Sequence, residues 1–204
     1  MLKLFSRLLK RDVHTAPGPV HEENEVHSNE QLLRAHFSFS EEAGQALGRF
    51  VSLISGHLGS GESERLSSLA VSRLRLGDTA DDAIADSLLG DDGQRPGKWL
   101  LLQVDWKATE EVEWQANELL AAAGLTERWQ LQDEPDTTVP QALLAFSAWA
   151  EHLGFHLLHL DLGHDAYYAL LAPADRSAAM LRAALEAGLK LQDSGAFAAE
   201  NARD

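Results

Sequence analysis

Apolar residues recur at intervals of three and four through most of this chain and run on continuously only in short stretches, a pattern of helices interrupted by a few strands. Between Ser40 and Leu58, Ala43, Leu47, Phe50, Val51 and Ile54 mark one face behind a Ser40 cap followed by Glu41 and Glu42, which predicts a helix. Leu66, Leu69, Ala70 and Leu74 mark a second helix from Glu62 to Leu76, with Gly77 placed to stop it. Thr79 to Leu89 predicts a third, shorter one. Gly90, Asp91, Asp92, Gly93, Pro96 and Gly97 then break regular structure and set a boundary near residue 95.

The second half opens on Trp99, Leu100, Leu101, Leu102 and Val104, an apolar run of strand length that predicts a central strand covered on both faces. Thr109 with Glu110 and Glu111 reads as a helix start, and Val112, Ala116, Leu119, Leu120 and Ala123 form the inward stripe. Trp129 to Gln132 reads as a short strand. Pro140 then opens a helix that buries Leu143, Phe146, Trp149, Ala150 and Leu153 and stops at Gly154. Phe155 to Leu162 and Tyr167 to Ala172, separated by Gly163, His164, Asp165 and Ala166, predict an antiparallel hairpin. A helix is expected over 174–191, and the small polar residues from Asp193 predict a loose tail. The order is that of an α+β fold: N-terminal helices, then a small mixed sheet built as strand, helix, strand, helix, hairpin and helix.

Residues 1–11 stand apart. Lys3, Arg7, Lys10 and Arg11 occur there without an acid, and Met1, Leu4, Phe5, Leu8 and Leu9 share one helical face. Residues 12–30, with Pro17, Gly18, Pro19, three histidines and several glutamates, read as a linker. The organisation expected is thus a cationic segment at 1–11, a linker at 12–30, a helical region at 31–95, an α+β core at 96–192 and a tail at 193–204.

Composition narrows the function classes. The 204 residues carry 17 basic and 32 acidic side chains, a net charge of -15, a field that repels phosphate backbones and argues against a nucleic-acid partner. The chain has no cysteine, which excludes disulfides, thiolate nucleophiles and cysteine-ligated metals and suits a reducing compartment, the cytoplasm. No apolar run approaches the roughly 18 residues of a membrane span, and no export signal is evident. Neither a Gly-x-Ser-x-Gly elbow nor a phosphate-binding glycine loop occurs, and nothing implies a cofactor or a resident metal.

Two groups of residues carry candidate chemistry. Asp105 closes the first strand, where it either faces a ligand or accepts backbone hydrogen bonds in the turn to the next helix. Strand alternation puts His159 and Asp161 on one face, and His164 and Asp165 lie in the adjacent turn. Asp105, His159, Asp161 and Asp165 together make an oxygen and imidazole set suited to a divalent metal or to acid-base catalysis. The other group is aromatic: Trp106 and Trp114, the latter on the outer side of its helix beside Glu113, together with Tyr167, suit recognition of a partner.

Val104-Asp105-Trp106-Lys107, Glu111-Val112-Glu113-Trp114-Gln115 and Leu160-Asp161-Leu162-Gly163-His164-Asp165-Ala166-Tyr167 resemble an uncharacterised bacterial family of domains of unknown function, over residues 98 to 173. The resemblance implies a shared constellation of Asp105, Trp114, Asp161, Asp165 and Tyr167 at neighbouring strand ends, and no activity. The leading expectation is a cytoplasmic acidic interaction module, of immunity or adaptor type, for a protein partner with a basic surface. The alternatives are an enzyme built on Asp105, His159, Asp161 and Asp165, and a peripheral membrane protein anchored weakly through residues 1–11.

Overall fold

The computed structural model describes residues 40–132 and 136–202. The expected cationic segment, the linker and the first residues of the helical region lie outside the described residues.

Helices α1 (Glu41–Ser55), α2 (Ser60–Arg75) and α3 (Ala80–Leu89) come first, then strand β1 (Leu102–Asp105) and helix α4 (Glu111–Ala122). Helix α5 (Val139–Glu151), the hairpin strands β2 (Phe155–Asp161) and β3 (Ala166–Pro173), helix α6 (Ser177–Glu186), strand β4 (Lys190–Asp193) and helix α7 (Ser194–Asn201) complete the order. The fold is α+β. Capping obeys the sequence: Ser40 accepts from the Ala43 N–H, Thr79 accepts from Asp82, and Thr138 with Gln141 forms a reciprocal capping box with Pro140 in the first turn.

The four strands form one sheet in the order β1-β3-β2-β4. Every pairing is antiparallel, where the sequence suggested a mixed sheet. Alternation along the strands sends two apolar sets to opposite faces. Leu158, Leu160, Tyr168, Leu170 and Ala172 pack against Leu47, Phe50 and Ile54 of α1, Leu66 of α2, Ile84 and Leu88 of α3, and Met180 and Ala184 of α6. Leu102, Val104, Leu157, Ala169 and Leu171 pack against Val112, Ala116 and Leu120 of α4, Leu143 and Phe146 of α5, and Phe197 of α7. The sheet is therefore sandwiched between two helical layers. The described residues make one compact unit, and the boundary expected near residue 95 falls inside it.

Four expectations change. The Trp99–Val104 run supplies an edge strand rather than a central one; helices covering both sheet faces account for its continuous hydrophobicity without a strand on its outer side. Trp129–Gln132 is not a strand, because the Trp129 N–H and C=O are bonded at 3.0 and 2.9 Å to the Asn117 side-chain amide of α4, and the Leu131 N–H to Glu113. Thr109 does not cap α4: its hydroxyl donates to the Thr137 carbonyl at 3.1 Å, and the helix begins one residue after Glu110. The long helix expected over 174–191 stops at Glu186, β4 takes up its expected end, and α7 occupies the stretch where a loose tail was expected. Asp193 caps α7 through the Ala196 N–H, and buried Phe197 fixes that helix to the sheet.

Candidate functional site

At the C-terminal end of α3 the chain turns back sharply. A Cβ on Gly93 would lie 2.3 Å from the Leu88 carbonyl oxygen, so this close return requires glycine. Arg65 of α2 holds the turn from outside, donating to the carbonyls of Asp92 and Gly93 while pairing with Glu62 at 2.7 Å. That pairing holds the Glu62 carboxyl below its usual range, against the opposing effect of burial.

The turn delivers Gln94 to the outer edge of β1. Gln94 Oε1 accepts from the N–H groups of Leu100 and Leu101 at 2.8 and 3.0 Å, and its Nε2 donates to the Leu101 carbonyl at 2.8 Å. Two residues on, Gln115 of α4 does the same for Gln103: Oε1 accepts from its N–H and Nε2 donates to its carbonyl, both at 2.7 Å. Two glutamine amides thus stand where a fifth strand would pair.

Beside this closed edge lie two adjoining hollows that share Leu89 and Gln103. The first, of about 250 Å³, is walled by Leu88, Gln94, Trp99, Trp114 and Gln115. The second, of about 400 Å³, is walled by Ala85, Asp86, His164, Asp165 and Tyr168. They form one groove between α3 and the β1 edge, running from a tryptophan pair to the tip of the β2–β3 hairpin. Trp114 is 46 % exposed, and its ring meets Trp99 edge-to-face at 5.6 Å. Its Nε1 donates to Glu111 Oε2 at 3.0 Å. Gln103 Nε2 donates to the Tyr168 hydroxyl at 3.3 Å on the groove floor, and His164 lies edge-on to Tyr168. Among the described residues no lysine or arginine lines either hollow, and Arg73 pairs with Asp86 at 3.4 Å. A further hollow of about 950 Å³ is lined by Trp129, Gln141 and Trp149 among others.

Of the residues singled out from the sequence, Asp105, Asp161 and Asp165 lie at the hairpin end of the sheet, Asp105 opposite Ala166, whereas His159 lies further back along β2. Asp105 accepts the Lys107 N–H at 2.9 Å, the turn-forming role. Asp161 accepts the Gly163 N–H and pairs with Lys190 at 2.7 Å; the lysine, then the Gly163 N–H, hold its carboxyl below the usual range. Asp165 lines the groove. His159 is 2 % exposed beneath α7, stacked on Phe197 with ring centroids 3.7 Å apart. Its Nε2 meets the Ser194 hydroxyl at 3.3 Å, and that hydroxyl also lies 3.0 Å from the Leu157 carbonyl oxygen and 2.7 Å from Ser147 Oγ. Nδ1 is buried without a partner, and burial pushes the imidazole down to about 4. Such a ring stays neutral and shielded, unsuited to proton transfer with a bound substrate. Among the described residues no three histidine, aspartate or glutamate side chains gather to hold a metal ion, and of the four proposed catalytic groups only Asp165 lines the groove.

The aromatic set divides in the same way. Trp114 belongs to the groove. Trp106 is 55 % exposed, with Lys107 Nζ 4.2 Å from its ring centroid. Glu113 secures the Leu131 backbone, and Tyr167 faces α7, edge-on to Phe197 with its hydroxyl 3.5 Å from Asn201. Sequence reasoning missed Asp86, Leu89, Gln94, Trp99, Gln103 and Tyr168 as groove residues, because they come from separate elements and no periodicity links them.

The model of DUF6630, a domain of unknown function, matches residues 46–195. The chain belongs to this family. The DUF6630 match extends well beyond the segments that carried the resemblance, taking in most of α1, the whole sheet and every wall of the groove. Searches of curated proteins and of solved structures give no match. None of the described helices is long and apolar enough to cross a membrane.

Proposed function

We propose that this DUF6630 chain is a cytoplasmic protein-interaction module of bacterial adaptor or immunity type, whose groove between α3 and β1 receives a basic segment of a partner protein. The observation that carries the reading is the lining of the groove: Asp86 and Asp165, neutral amides and a half-exposed tryptophan, with no lysine or arginine among the described wall residues. A net charge of -15 steers a cationic partner toward such a surface, and screening by salt slows that encounter. Apolar contact with Leu88, Leu89 and the tryptophans then supplies the short-range affinity. The absence of cysteine suits a reducing cytoplasm.

Calorimetric titration of the full chain with a synthetic peptide of alternating arginine and glycine tests this reading. Binding should weaken as sodium chloride is raised and should fall roughly three- to tenfold in the double variant Asp86→Asn, Asp165→Asn, the size expected of two solvent-screened charges. A citrulline-for-arginine peptide that binds as tightly, or a double variant that binds like the parent, would sink it.

A further inference from the structure

At the Trp114 end the groove's chemistry is narrower than diffuse negative charge. The indole and the Glu111 carboxylate are locked together by the 3.0 Å Nε1–Oε2 hydrogen bond, and Trp99 braces the ring edge-on. Glu111 receives one other hydrogen bond among the described residues, from Gln115 Nε2 at 3.4 Å, so both of its donors are neutral amide or indole N–H groups. Trp106 provides a contrast within the same chain: there the protein's own Lys107 takes the ring, at 4.2 Å. Around Trp114 the aromatic face and the carboxylate stand together without a basic residue in the groove wall.

The neighbouring backbone limits how a partner can dock. A peptide joining an open sheet edge needs free N–H and C=O groups. The outward-facing groups of Leu101 and Gln103 are already bonded to Gln94 and Gln115. Recognition at this edge must therefore run through side chains.

We propose that Trp114 and Glu111 form a seat for one arginine side chain of the incoming basic segment, the guanidinium lying over the indole and paired with the carboxylate, with no strand added to β1. This rests on the groove reading and deepens it. Arginine suits the seat better than lysine because its planar guanidinium stacks on the ring while offering parallel donors to a carboxylate.

The test tracks the indole N–H signals of the ¹⁵N-labelled full chain, with the Trp114 signal assigned from Trp114→Phe, during titration with N-acetylarginine amide. N-acetylcitrulline amide, neutral and nearly isosteric, is the control. Saturable movement of the Trp114 signal is expected with arginine, at least tenfold weaker with citrulline. Glu111→Gln, which keeps an acceptor for Trp114 Nε1 while removing the charge, should reduce the arginine affinity severalfold. Equal response to citrulline, or an unchanged response in Glu111→Gln, overturns the seat. The two levels separate cleanly with the arginine–glycine peptide. Binding that needs Asp86 and Asp165 but ignores Glu111 and Trp114 sinks the seat and keeps the groove, whereas no peptide binding by the parent chain sinks the groove reading itself. Loss of the slow hydrogen exchange of the Gln103 amide in the complex would also overturn the side-chain mode, since it means that the Gln115 bond has given way.

Discussion

His159 is the residue at which burial and chemistry conflict most openly. Its ring lies flat on Phe197, its Nε2 meets Ser194, and Nδ1 meets nothing, so a proton added there would be charged, buried and without an acceptor. The folded value of about 4 lies below the roughly 6.5 of an unfolded histidine. Between those values the unfolded chain binds the proton and the folded chain does not. Stability from this group is therefore complete above about pH 6.5 and declines as pH falls toward 4, by something on the order of 3 kcal/mol. His159→Phe keeps the stack and removes the titration, so urea unfolding across pH 4 to 7 should show a flatter profile for the variant. Glu62 and Asp161, held below their ordinary values by Arg65 and Lys190, lose their contributions only at lower pH. Parallel pH profiles for the two proteins would mean that His159 is not what sets the acid sensitivity. Sequence alternation correctly put His159 and Asp161 on one face, yet it could not show that α7 covers the first while the second reaches Lys190 at the strand end.

At the scale of elements, the instructive feature is the replacement of strand neighbours by side-chain amides. Gln115 is 4 % exposed, and both hydrogen-bonding ends of its amide serve Gln103. Gln115→Ala strands one N–H and one C=O, each costing about 1–3 kcal/mol when left unmade, and also opens an edge for another chain to pair with. We expect a loss of roughly 2–4 kcal/mol in denaturant unfolding, together with concentration-dependent association in sedimentation. Gln115→Glu, which keeps the acceptor for the Gln103 N–H and loses the donor to its carbonyl, should fall between the two. Full stability in Gln115→Ala would show that the edge closes by other means. This device also explains what the hydrophobic pattern did and did not reveal. The capped helices α1, α3 and α5 and the β2–β3 hairpin were legible because a periodic stripe and a turn signal coincided at each. The position of β1 was not, since burial from both helical layers gives an edge strand the composition of a central one. The Trp129 segment looked like a strand for a related reason: its backbone is paired, but by Asn117. Helix α7 was hidden because it buries only Phe197 among small and polar residues.

For the whole molecule, one sheet with two apolar faces makes the N-terminal helices obligatory. Leu158, Leu160, Tyr168 and Leu170 are all nearly inaccessible, and their cover comes from α1, α2 and α3 as well as α6. A fragment of residues 96–204 would expose that face. At about 1.5–3 kcal/mol for each large side chain returned to water, four such residues alone represent roughly 6–12 kcal/mol, comparable with the entire stability of an ordinary domain. The fragment should therefore lack a cooperative thermal transition and give a poorly dispersed NMR spectrum. Adding a second fragment of residues 38–95 should restore both signatures if the two pieces rebuild the common core. A fragment that unfolds cooperatively by itself would show that α6 and the sheet close the face without α1–α3. The groove gives this dependence a functional consequence, because α3 forms one wall and β1 the other. Binding of the arginine–glycine peptide should accordingly disappear in the isolated fragment and return with the reconstituted core, and binding retained by the fragment would mean that the site does not need the α3 wall.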